Sequence, residues 1–189
     1  MLVPRVARTL SFAFNVPTSD DPALNRLTAW ISRHPVCHVE LFFETVNQCF
    51  SIMMGEPAGL RTRNLSNPNY KILSITVSQS EYDTCLSFCQ SASTWGLAFD
   101  DHAMFRSIYA PGCCEPSSQA AGKTFCSKIV TEALQYANIP EFEHLNPALT
   151  TPSRLYQAVS CSPRLVCSSV PFKRELLARS GVNSMYVKQ

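Results

Sequence analysis

The chain has 189 residues, 46% of them apolar and only 16% charged, with a formal net charge of +2. That length carries one domain with its own hydrophobic core, and the apolar content argues against intrinsic disorder. A net charge so small gives no basis for a nucleic-acid groove, and no stretch approaches the roughly 18 apolar residues of a membrane span.

Thr9 to Val16 alternates strictly, with Leu10, Phe12, Phe14 and Val16 on one side, and predicts a half-buried strand. Arg5 and Arg8 without an acid before Asp20 would also suit a presequence, but the alternation favours the strand. Ser19-Asp20-Asp21-Pro22 supplies a helix start, Leu24, Leu27, Trp30 and Ile31 recur at helical spacing, and Pro35 stops the run. Val36 to Phe43, a polar turn over Glu44 to Gln48, and Cys49 to Met54 read as a hairpin. Tyr70 to Val77 is a further strand with Leu73, Ile75 and Val77 on one face. Ser78 and Glu81 form a capping box that opens a helix through about Ala92, with Tyr82, Cys85, Leu86 and Cys89 as its apolar stripe.

Asp100 to Tyr109 predicts a short helix, and Ala110 to Lys123 a long loop of the kind that often carries function. Thr124 is placed to cap a helix from Phe125 to about Ala137, with Asn138 as its stop. Thr151-Pro152 starts another helix, containing Leu155, Tyr156 and Val159. From Arg154 onward six Lys or Arg face one acid, Glu175, a bias that solvated surface explains.

Nine cysteines (Cys37, Cys49, Cys85, Cys89, Cys113, Cys114, Cys126, Cys161 and Cys167) cannot all pair within one chain. With no recognisable secretory segment, the expectation is a reduced, intracellular protein in which most cysteines are small apolar filler. No pair of CxxC knuckles exists, so no metal is expected. With 6 glycines and no glycine-rich loop, neither is a phosphate-bearing cofactor. His34, His102 and His144 read as surface or structural residues.

Two residues stand out by position. Cys126 falls in the first turn of the helix at 125–137, where unsatisfied N–H groups and the helix dipole favour a thiolate. His38 shares one strand face with Glu40, while Val39, Leu41 and Phe43 make the apolar face opposite. A thiolate at a helix start facing a histidine on a strand is the pairing that papain-like cysteine enzymes use.

The segments His38-Val39-Glu40-Leu41-Phe42-Phe43 and Thr124-Phe125-Cys126-Ser127-Lys128-Ile129-Val130-Thr131-Glu132-Ala133-Leu134 resemble the two signatures of the NlpC-like papain-fold superfamily. They stand in circularly permuted order, histidine strand before cysteine helix. The resemblance spans about residues 36 to 160, and in overall texture the chain is most similar to viral members. It implies a single α+β domain, an antiparallel sheet with the cysteine helix packed across it, preceded by a strand–helix extension and followed by a basic tail.

It further implies Cys126 as nucleophile and His38 as base, with thioester chemistry on a peptide, amide or lipid ester. The third family position is polar and lies on the next strand, where this chain offers Ser51, with Gln48 or Glu40 as substitutes. A serine orients imidazole weakly, because it brings no charge. That departure keeps a second expectation open: a papain-fold protein with little or no catalysis that binds a virion or host-protein partner.

Overall fold

Leu10, Phe12 and Phe14 lie fully buried side by side, as their alternation requires, and they belong to the central part of the sheet and not to its margin. The computed structural model describes residues 6–19, 26, 29, 34–109 and 122–166. Five antiparallel strands form the main sheet: β1 (Ala7–Asn15), β2 (His38–Phe43), β3 (Gln48–Met53), β4 (Glu56–Arg61) and β5 (Tyr70–Ser78), in the order β4-β3-β2-β1-β5. The first strand, expected in an extension ahead of the core, instead sits between β2 and β5 and pairs with both. Asn15 stands opposite His38 on one side and Tyr70 on the other.

Four α-helices accompany the sheet among the described residues: α1 (Gln79–Ala92), α2 (Asp101–Tyr109), α3 (Cys126–Tyr136) and α4 (Pro152–Ser160). The protein is therefore of mixed α+β architecture. A small parallel pair, β6 (Ala98–Phe99) and β7 (Lys123–Thr124), delivers the chain to α3. The main core lies between the helices and one sheet face, where Val39, Leu41, Phe43, Phe50, Ile52, Ile75 and Val77 meet Tyr82, Cys85 and Cys89 of α1, Ile129, Val130, Ala133 and Leu134 of α3, and Leu155 and Val159 of α4. The opposite face carries a smaller cluster of Ala13, Phe42, Cys49 and Leu65, with Tyr70 and Ile72 packed against it.

Local chemistry accounts for most helix boundaries. Ser78 caps α1 reciprocally: its side chain accepts the Glu81 N–H at 3.2 Å and its own N–H donates to Glu81 Oε2 at 2.6 Å. Thr151 caps α4 by accepting the Arg154 N–H, with Pro152 in the first turn. Asn138, with φ 52°, takes the left-handed conformation that ends α3.

Thr124 does not cap α3 as its position suggested. The chain stays extended through Phe125 (φ −134°, ψ 164°), the helix begins at Cys126, and no side chain caps it. The hairpin strand begins at His38 rather than Val36, and its partner at Gln48 rather than Cys49. Strand β4 had no sequence signal, since Pro57 and Gly59 are poor strand formers; both are tolerated because β4 is the sheet edge. The helix expected after Pro22 falls largely outside the described residues, although 26 and 29 are helical, and so do most of the loop at 110–123 and the tail beyond 166.

Candidate active site

The ladder between β2 and β3 runs from Phe43↔Gln48 to Leu41↔Phe50 and goes no further toward His38. Past that point Val39, still paired with Phe14 of β1, has no ladder partner on β3, and buried backbone groups on that side need other partners. Its carbonyl accepts the Ser51 hydroxyl at 2.7 Å. Its N–H favours the anionic form of Cys126. The opening between the two strands is thus where the first turn of α3 meets the sheet.

Helix α3 is held there by its own first turn. Ser127, fully buried, donates its hydroxyl to the Thr150 carbonyl at 2.6 Å, and Thr131 donates to the Ser127 carbonyl at 2.7 Å. Ile129, Val130, Ala133 and Leu134 fix the helix rotation by packing on the core. Cys126 is the first helical residue, so its sulfur lies among N–H groups that have no partner within the helix. The N–H of Ser127, like that of Val39, favours the anionic sulfur.

The structure brings Cys126 and His38 together. Burial alone would raise the thiol, but charge and hydrogen bonding from His38 outweigh it and hold Cys126 below its usual range. Burial would likewise lower the imidazole; opposed by Cys126 and, to a lesser degree, Glu40, His38 is instead pushed up to about 10. The two shifts have one cause, since each group favours the charged form of the other. Cys126 is 2% exposed and His38 9% exposed, so the pair lies beneath the surface.

Glu40 follows His38 on the same strand face, and its Oε1 stands 3.4 Å from His38 Nε2. This is an ion-pair contact and not an aligned hydrogen bond, since Nε2 has no hydrogen-bond partner. The same Oε1 accepts the Tyr70 hydroxyl at 3.1 Å, and Oε2 accepts Arg63 Nε at 3.4 Å. Burial would raise Glu40, but His38, Arg63 and Tyr70 together hold its carboxyl below the ordinary value. Arg63 also bonds Glu56 Oε2 at 3.0 Å.

The other sequence-derived candidates lie elsewhere. The Ser51 hydroxyl spends its proton on Val39 and is not directed at the imidazole. Gln48 opens β3 opposite Phe43, at the far end of β2 from His38. Arg63 and Tyr70 escaped the sequence reading. Arg63 lies in a segment without periodicity, and Tyr70 reaches Glu40 from β5 across the narrow side chain of Ala13, a relation visible only once β1 is known to separate β2 from β5.

Among the described residues Cys37, Cys49, Cys85, Cys89 and Cys126 are buried, and Cys161 is exposed. Burial raises Cys49 and Cys89 above the ordinary thiol value, opposite in direction to Cys126. Cys113, Cys114 and Cys167 lie outside the described residues. Among the described residues no group of three or more His, Cys, Asp or Glu could hold a metal ion, and no helix is long and apolar enough to cross a membrane. Comparison with protein-family models, with curated proteins and with solved structures finds no match to the chain.

Proposed function

We propose that this protein is a thiol-dependent hydrolase or acyltransferase on a permuted papain-like domain, acting on an amide, peptide or ester through a thioester on Cys126. The observation that carries the reading is the placement of Cys126, the first residue of α3, beside His38, the first residue of β2, with both side chains buried. Cys49 and Cys89 are pushed up by burial, whereas Cys126 is drawn down by His38. The His38-to-Phe43 and Thr124-to-Leu134 resemblance supports the same assignment.

In the reaction, the Cys126 thiolate attacks the carbonyl carbon and a C–S bond forms. Charge developing on the carbonyl oxygen is stabilised by the free N–H groups of the first turn of α3. The C–N or C–O bond then breaks, and the leaving group takes the His38 proton. Water, or another nucleophile in acyl transfer, gives its proton to His38 as it attacks the thioester, and Cys126 leaves as thiolate.

A second reading has its own observation. A cysteine only 2% exposed suits a protein that keeps the pair without turning over substrate and functions by binding a partner. An activated ester separates the two. With p-nitrophenyl acetate, an enzyme gives a nitrophenol burst and an acetyl group located on Cys126 by peptide mass. Cys126→Ala abolishes both, and His38→Ala slows the burst. Acetylation spread over many cysteines and indifferent to His38 would leave the binding reading standing.

A further inference from the structure

Glu40 is 1% exposed, and a carboxylate so buried needs compensation from every side. Its oxygens divide the work. Oε2 faces Arg63, and Oε1 receives the Tyr70 hydroxyl while facing His38 Nε2. The groups that bear on it come from four segments: Cys126 through His38 from α3, Tyr70 from β5, Cys49 from β3, and Arg63, backed by Glu56, from the chain after β4. Glu40 thus stands between two basic side chains, the buried His38 and the half-buried Arg63, and Arg63 is shared with Glu56.

Ser51 cannot fill the same place. Its hydroxyl is needed where the strands part, and turning it toward the imidazole would strand the Val39 carbonyl. We infer that Glu40 is the positioning residue of this site: held by Arg63 and Tyr70, its carboxylate faces His38 Nε2 and holds the ring opposite Cys126. The orienting group has thereby moved from the neighbouring strand onto the histidine's own strand, two residues on. This inference rests on the reading of Cys126 and His38 as a reactive pair.

Two readouts on the full chain test it: the NMR titration of the His38 ring, and the rate of Cys126 alkylation by iodoacetamide at neutral pH, located by peptide mass. Glu40→Gln keeps the shape and removes the charge. The His38 titration should then fall by about one pH unit or more and alkylation slow about tenfold, the equivalent of one unit. Glu40→Asp should recover part of both, whereas Ser51→Ala should leave both within about twofold, well short of one unit. A Glu40→Gln protein that matches wild type in both readouts, or a Ser51→Ala protein that moves them as far, overturns the inference.

If Glu40→Gln does not fold, Glu40→Asp and Tyr70→Phe decide. Tyr70→Phe removes one bond to Oε1 and should shift both readouts in the same direction by a smaller amount; no shift in either variant also overturns the inference. His38→Ala separates the two levels. Unchanged Cys126 alkylation in that variant sinks the reactive pair itself. A loss there, with Glu40→Gln like wild type, sinks only the role of Glu40.

Discussion

Ser51 and Glu40 show how one residue's role depends on where its hydrogen bonds go. Ser51 reaches β2 from β3 and donates to Val39, whereas Glu40 belongs to β2 and faces the imidazole. Replacing Ser51 with Ala leaves a buried carbonyl without a partner, which costs about 1–3 kcal/mol. Urea denaturation should register that loss, and Cys126 chemistry should not change. An effect on reactivity without an effect on stability would reverse the assignment. A helix start and a strand face are local properties, so Cys126 and His38 could be marked as candidates in the sequence, and the resemblance joined them into a pair. The sequence could not choose among Ser51, Gln48 and Glu40, since that choice depends on where the β2–β3 ladder stops and on Tyr70 reaching across a third strand.

At the scale of elements, the strongly periodic segments were legible, and the weakly patterned ones were not. The stripe Tyr82, Cys85 and Cys89 and the Ser78–Glu81 box define α1 locally, whereas β4 exists only because β3 offers it an edge. The end of the described chain is tied by contacts no local pattern shows. Leu165 bridges to Ile75, and the Arg164 guanidinium binds both Glu81, at 2.9 Å, and Glu141. One cation thereby steadies the capping carboxylate of α1 and the short 3₁₀ turn Pro140–Phe142. For Glu81, burial opposes the shift but its Ser78 and Arg164 bonds prevail; for Glu141 the Arg164 bond is the leading cause, and both carboxyls lie below 4.5. A lowered carboxyl stabilises the fold above its unfolded value, and that contribution disappears as pH falls through the folded value. Arg164→Gln should therefore lower stability near neutrality by about 1 kcal/mol, a figure kept small because all three groups are partly exposed. The variant and wild type should converge in urea titrations well below pH 4.5, where the carboxyls are protonated in both. A gap that stays constant with pH would mean that Arg164 acts through packing alone.

At the scale of the whole molecule, the resemblance begins at residue 36, yet the sheet does not. β1 pairs along its nine residues with β5 and from Ser11 to Asn15 with β2, so without it the hairpin carrying His38 has no covalent or hydrogen-bonded neighbour on that side. Phe12 and Phe14, stacked at 6.1 Å, also supply apolar surface under α4 and the Pro140–Phe142 turn, through Tyr156 and Phe142. A chain that starts at Val36 should therefore fail to fold, with no dispersed amide spectrum and no cooperative melt. Phe12→Ala in the full chain should cost about 3–5 kcal/mol, a large part of a net stability of about 5–15 kcal/mol. The same variant tests whether β1 holds the site as well as the fold. Asn15 opposes His38, and the Cys37 N–H donates to the Asn15 carbonyl at 3.0 Å, so β1 fixes where β2 begins. If that register only supports folding, Cys126 alkylation per folded molecule should equal wild type at temperatures well below the melt. If it also places the imidazole, Asn15→Pro, which through its fixed φ and missing N–H disturbs β1 where it meets His38, should lower alkylation per folded molecule while Phe12→Ala does not. Equal losses in the two variants, after correction for the unfolded fraction, would reduce β1 to a stabilising strand.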